Sequence, residues 1–173
     1  RHDTVVGTIM TNMGFAKCCE ENGIHFVSTK VGDRYVLEEM EMENYRFGGE
    51  QSGHVIFRDF ATTGDGQLTA VQLLCLMKRC GKSLSELAGV MHRYPQVMKN
   101  VTVSKEGKLA FYNNDAIKEA IEHGKERLAD DGRIVVRVSG TEPLLRVMVE
   151  GKDDALIEEL ASSIADLCVR ELG

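Results

Sequence analysis

No stretch of this 173-residue chain approaches the roughly 18 consecutive apolar residues that a membrane-spanning helix needs. Cationic excess is lacking too. Twenty-one Lys and Arg stand against 27 Asp and Glu, for a net charge of -6 and a pI near 5.4. That balance excludes nucleic acid or an anionic membrane as the main partner, so any anion site must be a local basic pocket. The cysteines form no zinc pattern. Cys18, Cys19, Cys75, Cys80 and Cys168 are odd in number, and no C-x-x-C or Cys/His spacing relates them. All five fall in helix-like segments, and reduced core thiols of a cytoplasmic protein are the expectation. There is no internal repeat, low-complexity tract or signal-peptide succession of basic, apolar and small residues. Instead Arg1-His2-Asp3 runs at once into a β-branched segment, which reads as entry in mid-fold and as part of a longer chain.

What is present is an ordinary globular composition, 43% hydrophobic and 28% charged, long enough for two small domains with real cores. Residues 4–10 predict a buried strand, and 13–21 a helix with Asn12 as N-cap and Asn22-Gly23 as stop. A strand over 24–28 and a helix over 34–42, capped by Asp33, complete the rhythm of an α/β unit with a parallel or mixed sheet. Residues 65–80 predict a long helix, apolar nearly all round, with Asp65 at its cap and Gly81 at its end. Ser83-Leu84-Ser85-Glu86 is a capping box opening a short helix to about residue 91. Tyr94-Pro95-Gln96 breaks the pattern and is the candidate hinge. Beyond it come a strand (97–103), a helix (115–128), two strands (133–138 and 144–149) and a helix (153–170), a small α+β domain with helices on one face of an antiparallel sheet. The domains are therefore expected at 1–92 and 93–173.

Two loops carry candidate chemistry. In Gly48-Gly49-Glu50-Gln51-Ser52-Gly53-His54, an extended backbone places Glu50, Ser52 and His54 on one face. A carboxylate beside a hydroxyl suits a sugar diol, since the carboxylate accepts from two hydroxyls while the serine donates and accepts. The alternative is a glycine-rich turn with polar decoration. In Arg137-Val138-Ser139-Gly140-Thr141-Glu142-Pro143, a turn joins two strands, and the second strand carries Arg146. Period two sets Ser139 on the side of Arg137, Gly140 frees the backbone to turn its N–H groups outward, and the Thr141 hydroxyl lies beside them. Amides, two hydroxyls and a guanidinium fork suit a phosphate dianion. The alternative is a polar hairpin whose arginines solvate the surface, with Arg146 pairing to Glu142.

Together the two loops resemble the C-terminal half of the α-D-phosphohexomutase superfamily, most closely its bacterial glucosamine-phosphate branch. Lys30-Val31-Gly32-Asp33-Arg34-Tyr35-Val36 and Thr62-Thr63-Gly64-Asp65-Gly66 resemble further family blocks. The resemblance implies part of a third domain followed by a fourth. It implies that Glu50, Gln51, Ser52 and His54 meet the sugar of a hexosamine phosphate, and that Arg137, Ser139, Gly140, Thr141 and Arg146 meet the phosphate that is not reacting. The donor phosphoserine and the aspartate-rich Mg²⁺ loop of such enzymes belong to N-terminal domains, and no Asp-Gly-Asp-Gly-Asp-like run occurs here. This chain alone is thus expected to bind no Mg²⁺ and to be inactive, with those N-terminal domains and a second copy in a homodimer as partners. Mannose- or glucose-phosphate mutases of the same superfamily and a non-catalytic phosphosugar-binding module remain the alternatives.

Overall fold

The computed structural model describes residues 3–173, and Arg1 and His2 of the entry stretch lie outside them. The chain divides into two units, residues 1–93 and 94–173.

The first unit is built on a four-stranded mixed sheet in the order β2-β1-β3-β4. Strand β1 (Thr4–Thr8) pairs in parallel with β2 (His25–Thr29) and with β3 (Phe47–Gly49). Strand β4 (Val55–Phe57) returns antiparallel to β3. Both parallel crossovers are helical, as they must be when parallel neighbours cannot be joined by a tight turn. Helix α1 (Met13–Glu21) starts at Asn12, whose side chain accepts from the Gly14 N–H at 3.0 Å, and sets Phe15 edge-on against Phe26. Helix α2 (Asp33–Met42) packs Val36 and Met40, one turn apart, on Val6 and Ile56 in a core that includes Tyr45.

Asp33 is not the cap of α2. That position is Gly32, at φ +131°, and no side chain of its own bonds back to the helix. Asp33 enters the first turn, where its charge suits the positive end of the helix. Helix α3 (Gly66–Cys80) has the predicted ends, Asp65 accepting from Gln67 and Leu68 and Gly81 in the left-handed region. None of its residues is buried, however, and Val71, Leu74 and Leu76 are exposed. An all-round apolar helix is ordinarily enclosed, and among the described residues nothing encloses this one. Two of the expected core thiols, Cys75 and Cys80, are exposed for the same reason, whereas Cys19 and Cys168 are buried. Helix α4 (Leu84–Ala88) carries both halves of the Ser83–Glu86 capping box and stops short of residue 91.

The second unit is a three-stranded antiparallel sheet in the order β5-β7-β6, from β5 (Gln96–Thr102), β6 (Gly132–Val138) and β7 (Leu144–Gly151). Tyr94-Pro95-Gln96, the candidate hinge, opens the second unit. Tyr94 is buried, and the Pro95 carbonyl accepts from the Gly151 N–H at 3.1 Å, which prolongs the sheet. Helices α6 (Asp115–Leu128) and α7 (Asp154–Leu172) cover one face. From α7 the residues Ile157, Leu160, Ala161, Ile164 and Cys168 meet Leu145, Val147 and Val149 in one core. Each such large side chain contributes roughly 1.5–3 kcal/mol by leaving water. A further helix, α5 (Lys105–Phe111), lies where no element was expected. It is capped by Ser104, which accepts from the Gly107 N–H at 3.0 Å.

Candidate functional site

The loop between β3 and β4 is a tight turn, not an extended run. Glu50 and His54 bracket it through the bond from the Glu50 N–H to the His54 carbonyl at 2.9 Å, and Gly53 at φ +100° makes the reversal. The three polar side chains nevertheless converge. The Ser52 hydroxyl donates to Glu50 Oε1 at 2.7 Å and lies 3.0 Å from His54 Nδ1. His54 Nδ1 is 3.3 Å from the same carboxylate oxygen. Because the single Ser52 proton is given to Glu50, His54 Nδ1 meets Ser52 and the carboxylate as the donor. The second carboxylate oxygen reaches back across the unit and accepts from the Gly32 N–H at 3.2 Å. Glu50 therefore satisfies the N–H of the N-cap residue of α2, beside Asp33, whose Oδ1 accepts from the Arg34 N–H at 2.9 Å, at the helix end where negative charge is favoured. Gln51 is exposed at the tip and takes no part in this cluster.

Gly32 could not be singled out as a partner of Glu50 from the sequence, because the contact spans 18 positions. Gly64 is another member that the sequence placed only in a block. A Cβ there would lie 3.2 Å from the Cβ of His54 and 3.3 Å from its ring, so the stretch before α3 backs the histidine.

In the second unit the register sets Arg137 of β6 directly opposite Arg146 of β7, and Asn100 of β5 opposite Arg146 on the other side. All three lie on the sheet face away from the helices, since Leu145 and Val147, the neighbours of Arg146, point into the core. Like charges directly opposed across a ladder are destabilising unless an anion lies between or beside them. Arg146 is partly compensated by an ion pair with Glu142, the pairing anticipated across the hairpin. Asn100 was missed, since only register brings it into the row.

The turn Ser139–Pro143 sits at the end of that row. Ser139 is buried, its N–H donates to the Leu144 carbonyl at 2.8 Å, and its Oγ accepts from the Glu142 N–H at 3.2 Å. The hydroxyl thus closes the turn while keeping its own proton to donate. Gly140 and Thr141 are exposed, and among the described residues their amides donate to no protein acceptor. Gly140 does not occupy the left-handed region, and a Cβ on it would meet open space. Its contribution is bare backbone, not an unusual dihedral. Two adjacent unspent amides near two arginines are the donor types that suit an anion.

Among the described residues no three His, Cys, Asp or Glu side chains come together to hold a metal ion. These residues do not fit a Mg²⁺ site, and no metal-dependent step is assigned to them. No described helix is long and apolar enough to cross a membrane.

The chain is 52% identical to a phosphoglucosamine mutase of Caldanaerobacter subterraneus over all 173 residues, which are 39% of that relative. It is 51% identical to the phosphoglucosamine mutase of Ligilactobacillus salivarius, again over its whole length and 38% of the relative. The chain therefore spans about two-fifths of the curated relatives it matches. Among solved structures, the Aspergillus fumigatus N-acetylphosphoglucosamine mutase in complex with GlcNAc-6P and magnesium has the same fold. Its TM-score is 0.83 at 18% identity, over 98% of this chain and 39% of that one. A phosphoglucomutase/phosphomannomutase family protein of Burkholderia thailandensis gives a TM-score of 0.74 at 19% identity, over 99% of this chain and 39% of that one. In sequence pattern, residues 1–94 match the α/β/α domain III of phosphoglucomutase/phosphomannomutase, and residues 98–167 match the C-terminal domain. This chain belongs to the phosphoglucomutase/phosphomannomutase family.

Proposed function

We propose that the chain is the substrate-binding C-terminal portion of a phosphoglucosamine mutase. The whole protein would interconvert glucosamine 6-phosphate and glucosamine 1-phosphate through a phosphoserine and a bisphosphate intermediate. It would do so in the cytoplasm, as a step toward amino-sugar nucleotides and cell-wall precursors. Residues 1–92 are read as the C-terminal part of domain 3 and residues 93–173 as domain 4. The phosphoserine and the Mg²⁺ ligands are assigned to domains that precede this chain, and a homodimer is the expected assembly. Magnesium, when bound there, neutralises charge on the transferring phosphoryl group.

Within this chain, Glu50 accepts from sugar hydroxyls, Ser52 donates and accepts beside it, and His54 offers Nε2. Gln51, exposed at the tip of the same loop, is placed against the sugar by family resemblance alone. The amides of Gly140 and Thr141, the hydroxyls of Ser139 and Thr141, and the guanidinium groups of Arg137 and Arg146 take the phosphate that is not reacting. The observation that carries this reading is the facing pair Arg137 and Arg146 at a turn with two unspent amides. The glucosamine choice leans on the names of the relatives at 51–52% identity. The test is turnover by the full-length protein of glucosamine, mannose and glucose phosphates in parallel. Glucosamine phosphate should be preferred, and the 173-residue chain alone should turn over none. Preference for mannose or glucose phosphate overturns the substrate, and turnover by the chain alone overturns the division of labour.

A further inference from the structure

An anion site made of backbone requires its amides to face out, and a turn of five residues has no intrinsic reason to face them so. Here the Ser139 carbonyl, which shares its peptide with the Gly140 N–H and so points opposite to it, is drawn the other way, and the end of the turn is tied down on the same side. The Ser139 carbonyl accepts from Lys108 Nζ at 2.8 Å, and the Glu142 carbonyl accepts from the same ammonium at 2.5 Å. The Pro143 carbonyl accepts from the Val103 N–H at 3.0 Å. One lysine thus clamps both ends of the stretch 139–142, and the two amides between its attachment points, those of Gly140 and Thr141, are the ones left unspent.

Lys108 holds its position because α5 is pinned. Ser104 caps the helix, and a Cβ on Gly107 would lie 2.4 Å from the Leu172 carbonyl at the end of α7. Only a residue without a side chain lets α5 approach α7 that closely. Lys108 is half-buried and Gly107 buried, so the ammonium is delivered along a packed helix and not from a mobile surface arm.

We propose that Lys108 is a positioning residue for the phosphate-binding turn. It holds the Ser139 and Glu142 carbonyls inward so that the Gly140 and Thr141 amides converge on the anion beside Arg137 and Arg146. The inference rests on the reading of this turn as a phosphate site. It assigns Lys108 no contact with substrate. Three donors on one ammonium suit the task, since two carbonyls at an angle are satisfied at once. Arginine retains charge and several donors, whereas methionine keeps the apolar stem and removes every donor.

The experiment is a titration of the 173-residue chain with inorganic phosphate, followed by amide NMR. In the wild type, the Gly140 and Thr141 amides should move as phosphate is added. In Lys108→Met, their positions should already differ without phosphate, and the apparent dissociation constant should rise about tenfold. The amides of Val147 and Val149 in β7 should stay in place. Lys108→Arg should bind within about threefold of wild type. The Met defect should persist at high salt, which screens a remote charge but not a repositioned turn. Unchanged binding by Lys108→Met overturns the proposal. So does a defect that Arg fails to rescue and that spreads into β7, because Lys108 is then only a structural lysine. So does a defect that vanishes with salt. If the wild-type turn amides do not respond to phosphate at all, the reading of the site itself fails and the proposal falls with it. A wild-type response with an indifferent Lys108→Met removes only the role of the lysine.

Discussion

Replacing Glu50 by glutamine keeps the shape of the β3–β4 loop and inverts its hydrogen bonding. The Gly32 N–H needs an acceptor, so the single amide oxygen of the new residue must face it, and the NH₂ group then faces Ser52. Ser52 becomes an acceptor toward residue 50 and turns its proton to His54 Nδ1, 3.0 Å away. His54 Nδ1 must then give up its proton and accept, which leaves the ring proton on Nε2. Two bonds to a carboxylate are exchanged for two neutral ones. At about 1.5–3 kcal/mol for a bond to a charged group and 0.5–1.5 kcal/mol for a neutral one, the local loss is about 1–1.5 kcal/mol per bond, or about 2–3 kcal/mol for the two. Glu50→Ala leaves the Gly32 N–H without its acceptor and should cost about 2–3 kcal/mol. Hydrogen exchange at the Gly32 amide reads both, with roughly tenfold faster exchange for each 1.4 kcal/mol. The ring ¹⁵N shifts of His54 read the tautomer. A Gly32 amide that exchanges as in the wild type, with His54 still protonated on Nδ1, refutes the cluster as drawn.

Arg137→Ala should weaken phosphate binding by roughly 10- to 100-fold, from the loss of charge-assisted bonds worth about 1.5–3 kcal/mol, and Arg137→Lys should recover only part. Titration of the chain, or kcat/KM of the full-length protein in both directions, checks this. Gly64→Ala should push the His54 ring by a few tenths of an ångström and cost on the order of 1 kcal/mol, seen as a shift of the His54 resonances with the β1–β2 amides unmoved. Cys75 and Cys80 should react quickly with a disulfide reagent, while Cys19 and Cys168 react only on unfolding. Burial pushes the Cys168 thiol from its ordinary 9.0 to about 11. The native chain therefore keeps a proton that the unfolded chain releases first. The contribution is full below pH 9 and is lost between pH 9 and 11, which denaturant melts across that window should record.

Most of the second unit was legible because its signals are local. The alternating run into β6, the β7 run and the Leu156-to-Cys168 stripe of α7 each declare one period, and in the first unit Asn12, Asp65 and Ser83 declare their helix starts by the same local means. Helix α5 was not legible. It is seven residues long with a glycine inside, and it is held by the end of α7, a contact between distant stretches of chain. For the same reason Lys108 gave no sign of its place under the turn. Glu50, Ser52 and His54 were grouped correctly by the wrong geometry, since alternation in an extended strand and convergence across a tight turn both bring positions i, i+2 and i+4 together. The pairing of Arg146 with Glu142 was legible from their four-residue spacing across a hairpin, whereas the row with Asn100 depends on a register no spacing reveals. The exposure of α3 went unforeseen, because composition says that a helix wants covering and not whether the covering is at hand.

The central strand of the second sheet is reached by two very unequal routes. Val138 meets Leu145 only seven positions on, whereas Thr102 must find Leu144 across 42. Closing the longer loop costs about 1.6 kcal/mol more in chain entropy, by the logarithmic dependence on length. The β6–β7 ribbon is thus the early partner and β5 the late one. The turn Ser139–Pro143, proposed above to present amides to phosphate, is then also the bend about which the sheet first zips. On that proposal, ligand recognition and rapid assembly make demands on the same five residues. Neither the Asn-Gly nor the Asp-Gly pair favoured in fast hairpins occupies them.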